Sequence, residues 1–366
     1  MQKANTNMSI FNSDLPLKII DLSTVLAGPS VGTFFAELGA EVIKIEHPNH
    51  QDVTRSWKLA SENQDNTISA YFSSVNYQKK YTFLDLKASS DYQKFTAQVK
   101  KAQVVLMNFK TESQKKLKVT EEDLWRINPN LIIGKISGFG TDSNRVAYDL
   151  ILQAETGFMS MNGTPESGPV KMPVALIDVL AAHQLKEGIL LALLQQAHQP
   201  LKKGKLVEVS LYQSAISALA NQASNFLMAS HVPKRIGSLH PNIAPYGEIF
   251  KTQDQKLITF AIGTNLHFKK LTNYLGLMQL ASDHRFSTSQ LRVENRADLA
   301  TYLQEKIEQL QAKEVLLVME ELQVPCAKIK NLSEVFEDKQ AQLMIQTESI
   351  GKQETKRVSQ LAFSIK

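Results

Sequence analysis

A single cysteine, Cys326, stands among 366 residues. The chain therefore closes no internal disulfide, and a lone thiol fits the reducing cytoplasm. Long apolar runs are missing too. Stretches such as Gly188 to Leu194 fall far short of the ~20 residues a membrane helix needs, so no membrane span is expected. Met1 to Pro16 is polar and has no apolar segment behind a basic flank, so no secretory signal is expected either. There is no G-x-G-x-x-G, which removes the usual dinucleotide fingerprint, and no internal repeat or low-complexity tract. A strong charge of one sign is likewise lacking: 41 Lys and Arg against 36 Asp and Glu leave a net +5. The basic residues occur as scattered pairs (Lys79-Lys80, Lys115-Lys116, Lys202-Lys203) with no aromatic interleaving, which argues against a nucleic-acid reader and suits a small polyanionic ligand.

What is present is an ordinary globular composition, 43% hydrophobic and 21% charged. Lys18 to Leu22 reads as a buried strand, and Gly28-Pro29 opens a helix whose apolar face is Val31, Phe34, Phe35 and Leu38. Gly39 ends that helix, and Glu41 to Glu46 is a second strand, giving a parallel, right-handed strand-helix-strand unit. Further strands are expected in the second half of Asn76 to Lys87, at Val104 to Phe109, Leu131 to Ile136 and Leu206 to Leu211. A capping-box pattern, Thr120-Glu-Glu-Asp123, opens a helix closed by Asn128-Pro129. Tyr212 to Ala229 reads as one helix. This alternation predicts an α/β fold, a Rossmann-like, mostly parallel sheet. From Pro233 turn formers and shorter elements take over: strands at Glu248 to Lys251 and Leu257 to Ile262, helices at Asn265 to Leu275 and Arg296 to Leu322. The expected division is a large domain over 1–229, a smaller second domain over 230–325, and a return to the large domain over 326–366.

The most informative stretch is Pro169 to Leu194. Its apolar run Val174 to Ile177 reaches Asp178, after which apolar positions take helical spacing. Asp178 thus sits in a first helical turn, where free N–H groups and the helix dipole favour a negative charge by ~0.3–1 kcal/mol. Such a site is expected to keep a carboxylate ionised. Two readings fit it: an ordinary helix cap, or a carboxylate nucleophile.

The stretches "DLSTVLAGP", "ELGAEVIKIE", "DVTRSW", "NYQKKYTFLDLK", "VVLMNF", "NPNLIIGKISGFG", "AYDLILQAETG", "ALIDVLAA", "GKLVEVSLYQS", "HPNIAPYGEIF" and "VPCAKI" resemble, in order, the class III CoA-transferases, also called the CaiB/BaiF or formyl-CoA transferase family. The resemblance implies that Asp178 attacks an acyl-CoA thioester, giving a mixed anhydride and then an aspartyl-CoA thioester that an acceptor carboxylate resolves. It implies that coenzyme A or acyl-CoA is a substrate, that no cofactor is bound permanently, and that the partners are acyl-CoA and carboxylic acids. An interlaced homodimer is implied as well. The turn Val25-Leu26-Ala27-Gly28 would supply backbone N–H groups to the oxyanion. Leu26 stands where formyl-CoA transferases carry glutamine, which favours a more apolar acyl group than oxalate.

By the same resemblance Leu84 and Leu86 would face the adenine, and Arg55, Lys79, Lys80 and Lys116 the phosphates. Asn108 would lie beside the thiol arm and Asp149 near the nucleophile. Sheet core for the leucines and solvated surface for the lysines are the plain alternatives. The Gly237 to Pro245 loop matches a segment that covers the site in relatives, and Cys326 reads as structural. His47 to Gln51 replaces a glycine-rich turn, and Lys110 to Ser113 replaces a basic-Pro-Gly turn. The last residues stop short of the family's usual tail, an expected weakening of dimer wrapping. Two alternatives stay open. One is an acyl-CoA racemase of the same fold, for which Tyr148 replaces the needed histidine base. The other is a non-catalytic CoA-binding paralogue.

Overall fold

A computed structural model describes residues 16–198 and 203–365; the polar stretch before Pro16 and Lys202 lie outside the described residues. The chain divides into two compact units, one formed by residues up to 158, 171–232 and 340 onward, the other by 159–170 and 233–339.

The first unit is built on six parallel strands: β1 Lys18–Asp21, β2 Glu41–Glu46, β3 Lys80–Phe83, β4 Val104–Met107, β5 Ile132–Ser137 and β6 Lys205–Ser210. Their order is β3-β2-β1-β4-β5-β6, all neighbours parallel. This is the doubly wound arrangement, with its topological switch between β1 and β4. The helices are α1 Ala27–Glu37, α2 Ala70–Ser74, α3 Ser89–Val99, α4 Thr111–Leu117, α5 Glu121–Ile127, α6 Asp149–Glu155, α8 Leu176–Ala197, α9 Leu211–Ser217 and α10 Ala220–Ala229, while all but the first residue of α7 Phe158–Met161 belongs to the second unit.

Successive strand residues face opposite layers, as the period of two requires. Ile19, Val104 and Ile132 join a core with α1 and α8, and their neighbours Ile20, Val105 and Ile133 join another with α3 and α5. A sheet covered on both faces explains why its strands read as continuous apolar runs. α8 lies so close to β6 that a Cβ on Gly188 would meet Val207 Cγ1 at 2.4 Å. Close packing of this kind fixes where the head of α8, and Asp178 with it, can stand.

The capping box at Thr120 forms with Asp123, as its sequence pattern predicts. Four expectations need correction, the last of them in the second unit's helices. Tyr212 to Ala229 is not one helix: α9 ends at Ser217 and α10 starts at Ala220, whose φ is 45°. Val174 is 59% exposed, so the run before Asp178 is not buried; Ile177 alone reaches the core. The second unit also does not end at 325. Its antiparallel sheet joins β7 Tyr246–Lys251, β8 Leu257–Ala261 and β9 Cys326–Lys328. Because β9 pairs with β8, residues to 339 belong to that unit.

Its helices are α11 Asn265–Tyr274, α12 Ser289–Glu294, α13 Arg296–Ile307 and α14 Ala312–Glu321. They enclose a separate core around Phe250, Phe260, Phe286, Leu303 and Val315. The expected helix over 296–322 is thus two, parted by residues 308–311. A C-terminal hairpin, β10 Ile345–Ile350 with β11 Gln353–Val358, returns to the first unit. Glu37 at the end of α1 tethers it by accepting from Arg357, the Ser359 hydroxyl and the Gln360 N–H.

Candidate active site

The carboxyl ends of β1, β4 and β5 and the head of α8 line one recess of about 160 Å³. Thr24, Val25, Leu26 and Ala27 come from the turn after β1 and the start of α1, Asn108 follows β4, Ser137 ends β5 and Gly138 follows it, and Asp178 comes from the first turn of α8. This is the switch point of the sheet, where open α/β folds bind ligands because the diverging loops leave a crevice. A recess of that size holds a short acyl group and a thiol end, well below the ~300 Å³ or more that a drug-sized ligand needs.

The turn after β1 is held atom by atom. Ser23 donates its N–H and hydroxyl to Asp21 Oδ1 at 2.9 and 2.5 Å, and Lys44 Nζ donates to the Ser23 carbonyl at 2.7 Å. The Asn108 side chain clamps Thr24 on both sides, accepting from its N–H at 3.1 Å and donating to its carbonyl at 3.0 Å. Val25 has φ 73°. For a β-branched residue that left-handed conformation costs ~1–3 kcal/mol and persists only where surroundings impose it. Its N–H donates to Asp52 Oδ2 at 3.2 Å. Gly28 is required because a Cβ there would stand 2.3 Å from Ser23 Cβ. With the Val25 N–H so engaged, Leu26 and Ala27 are the amides of this turn left to face a ligand. Leu26 caps α1 and Ala27 is its first residue, where amides lack intrahelical acceptors.

Asp178 and Asp149 meet here although 149 belongs to another helix. Asp149 Oδ1 accepts the Ile177 N–H of α8 at 2.7 Å, and its Oδ2 accepts from Gln153 Nε2 at 2.6 Å. It thus caps the head of α8 from another helix. Burial, and then the charge of Asp149, push the Asp178 carboxyl up to about 7. The expectation of an ionised Asp178 is corrected accordingly: loss of water around the side chain and a like charge outweigh the ~0.3–1 kcal/mol of a helix terminus. Tyr71 of α2 was invisible to sequence reasoning. Burial first, then the charges of Asp178, Asp149 and Asp52, push its hydroxyl up to about 12, so it keeps its proton and stays neutral beside the carboxylates. Its ring packs edge-on against Trp57, with centroids 5.1 Å apart.

Several residues expected at the phosphates or the adenine are otherwise engaged. Lys79 Nζ is fully buried and donates to Asp21 Oδ2 at 2.8 Å, the Pro29 carbonyl at 2.8 Å and Asn76 Oδ1 at 2.9 Å. Lys79 and Lys44 outweigh burial and hold the Asp21 carboxyl below its ordinary range. Lys79 is therefore a structural counter-ion, closed to phosphate. Lys80 begins β3 and pairs with Glu41 at the start of β2, at 2.6 Å. In a parallel sheet that is the edge opposite the recess. Arg55 is locked on Glu46 at 2.5 and 3.1 Å, with its guanidinium 3.9 Å over Phe72. Leu84 and Leu86 are 4% and 8% exposed and belong to the sheet core, so neither presents a face to adenine. Lys116 is exposed on α4, outside the recess lining.

The lining holds cations that spacing did not single out. Lys110 donates to the Asn144 carbonyl at 3.0 Å, and Arg145 lies over Phe139 and pairs with Glu155. The Gly237 to Pro245 loop lies in the second unit. Arg292 donates to the Ala244 carbonyl at 2.9 Å, and Arg296 donates to the His240 and Ile243 carbonyls at 2.7 and 3.0 Å. Among the described residues no cluster of three or more His, Cys, Asp or Glu could hold a metal, and no helix is long and apolar enough to cross a membrane.

A doubly wound sheet with a carboxylate at its switch point, followed by a small antiparallel unit, narrows the class. CoA-transferase family III matches residues 16–366, and the chain belongs to that family. It is 33% identical over 332 residues to the succinate–glutarate CoA-transferase of Agrobacterium fabrum, covering 89% of this chain and 82% of that one. It is 33% identical over 322 residues to the acetyl-CoA:oxalate CoA-transferase of Acetobacter aceti, covering 87% and 81%. A crystal structure of a CaiB/BaiF family protein from Brucella suis superposes with a TM-score of 0.81 at 33% identity, over 96% of this chain and 93% of that one.

Proposed function

We propose that this CoA-transferase moves coenzyme A from an acyl-CoA to a carboxylic acid through Asp178. The ionised carboxylate attacks the thioester carbonyl, and the Leu26 and Ala27 amides take the developing oxyanion. Collapse expels the CoA thiolate and leaves a mixed anhydride. The thiolate then attacks the Asp178 carbonyl carbon, releasing the donor acid and leaving an aspartyl-CoA thioester. An acceptor carboxylate reverses these steps and restores Asp178. No net redox change or hydrolysis occurs, so the exchange is close to isoenergetic. The observation that carries this reading is Asp178 in one recess with the head of α1. With its carboxyl at about 7, enough of it is ionised near neutral pH to act, and it remains a stronger nucleophile than an ordinary aspartate.

The substrates are short dicarboxylic acids and their CoA thioesters. Support comes from the names of the relatives, which pair succinate with glutarate and acetyl-CoA with oxalate, and from the polar lining that includes Lys110, a cation for a second carboxylate. This reading replaces the apolar acyl group suggested by Leu26. Asn108 is assigned to the thiol arm and Lys116 to the phosphates, and CoA is a substrate with no cofactor held permanently. The protein works in the cytoplasm as a homodimer. Support for pairing is the exposed apolar side chains on α8 and α10, among them Leu191 at 61%, Leu227 at 79% and Met228 at 88%, the kind of surface that marks protein–protein contacts when contiguous.

The test is incubation with succinyl-CoA and glutarate, trapping with hydroxylamine or borohydride, and peptide mass spectrometry. Modification is expected at Asp178 and is expected to vanish in Asp178→Ala along with turnover. Turnover without the adduct, or α-proton exchange in place of CoA transfer, would overturn the reading.

A further inference from the structure

We infer that Asp52 is a positioning residue for this reaction: by accepting the Val25 N–H it imposes the left-handed turn that aims the first amides of α1 at Asp178. The inference rests on the reading of that turn as the oxyanion site and adds a residue twenty-seven positions away that the turn itself does not reveal.

The geometry is specific. The Asp52 side chain is wholly buried and pairs with Lys44 at 3.3 Å, itself wholly buried. Its Oδ1 accepts the Thr54 N–H at 3.1 Å and the Thr54 hydroxyl at 2.7 Å. Its Oδ2 pairs with Lys44, and the Val25 N–H is shared between Oδ2 at 3.2 Å and Oδ1 at 3.4 Å. Asp52 is in turn anchored by donating its own N–H to Glu46 Oε1 at 2.8 Å. Lys44 spans the same turn by donating to the Ser23 carbonyl. The ion pair therefore grips both ends of Ser23 to Val25 from beneath, while Asn108 grips Thr24 from the β4 side.

Without the carboxylate the Val25 N–H loses its acceptor, and the strain of φ 73° at a β-branched residue favours relaxation to negative φ. Relaxation by one dihedral well rotates the following peptide, and Leu26 and Ala27 begin α1 from that peptide. Donors off target by about 1 Å lose transition-state stabilisation and leave ground-state binding largely intact. The expected signature is thus a fall in kcat rather than a rise in KM.

The test is a double-mutant cycle on the full-length protein, with succinyl-CoA and glutarate. Asp52→Asn leaves one oxygen where two are needed, and is expected to lower kcat about 10- to 100-fold with KM for the thioester changed less than about threefold. Glycine adopts positive φ without strain, so in a Val25→Gly background the same substitution is expected to lower kcat by less than about threefold. A merely structural Asp52 would show equal losses in both backgrounds, and that result would overturn the inference. A loss seen in KM alone would do the same. If Asp52→Asn does not fold, Lys44→Met/Asp52→Ala removes the acceptor with its counter-ion and is compared in the same two backgrounds. Trapping of wild-type protein separates the two levels: a labelled Asp178 with equal losses sinks only the role of Asp52, whereas turnover with no Asp178 adduct sinks the underlying mechanism.

Discussion

Asp178→Asn separates the folding cost of this carboxylate from its proposed role as nucleophile. The folded protein raises the Asp178 carboxyl from 3.8 to about 7, and each tenfold in proton affinity is about 1.4 kcal/mol. Ionised Asp178 therefore opposes folding by ~4 kcal/mol above pH 7, and by ~2 kcal/mol where water reaching the partly exposed side chain relieves the burden. The sign follows from proton counting. Below pH 3.8 both folded and unfolded chains hold the proton and the penalty vanishes. Between pH 3.8 and 7 the unfolded chain releases it while the folded chain keeps it, so stability falls as pH rises. Above 7 the full penalty stands. Asparagine has nearly the same shape and never ionises. In urea unfolding the variant is expected to exceed wild type by ~2–4 kcal/mol at pH 8, and by less than ~1 kcal/mol at pH 4.5. CoA transfer should meanwhile be lost. Equal stabilities at pH 8, or the same gain at both pH values, would refute the claim that Asp178 is held in a strained protonation state.

In the proposed mechanism the same carboxyl sets the rate profile. Transfer is expected to fall about tenfold for each pH unit below 7 and to level above it. Asp149→Asn removes the neighbouring negative charge and should move that break toward acid, readable in kcat/KM against pH; an unmoved break would remove Asp149 from the electrostatics. The two adjacent lysines should part company. Lys79→Met leaves Asp21 buried without its counter-ion and is expected to cost ~3–5 kcal/mol of stability. Lys80→Ala, on the far edge of the sheet, should leave both stability and the KM for acyl-CoA within experimental scatter. A raised KM in Lys80→Ala would return that residue to the phosphates.

Much of the architecture was legible in the chain because it is written in local patterns. Glu41–Glu46 was readable to the residue as a strand, the Thr120 capping box announced α5, and the change of spacing at Asp178 placed it in a first helical turn. Strand and helix alternation sufficed for a parallel sheet, and with it for a crevice at the strand ends. The family motifs pointed to Asp178, Asp149, Asn108 and the turn at Val25, and these line or abut one recess.

Tertiary structure alone decided which charges are free. Lys79 and Lys80 are neighbours of the same type, yet one, just before β3, is sealed against Asp21 and the other, the first residue of β3, meets Glu41 in solvent. Leu84 and Leu86 became core because α3 and α5 cover that face. The proton affinity of Asp178 depends on burial and on a carboxylate from α6, and the conformation of Val25 depends on Asp52. Periodicity records which face a side chain takes within its own element. Desolvation and ion pairing depend on what the rest of the chain brings within a few ångströms, and that is settled only when the sheet and its helices close around each group.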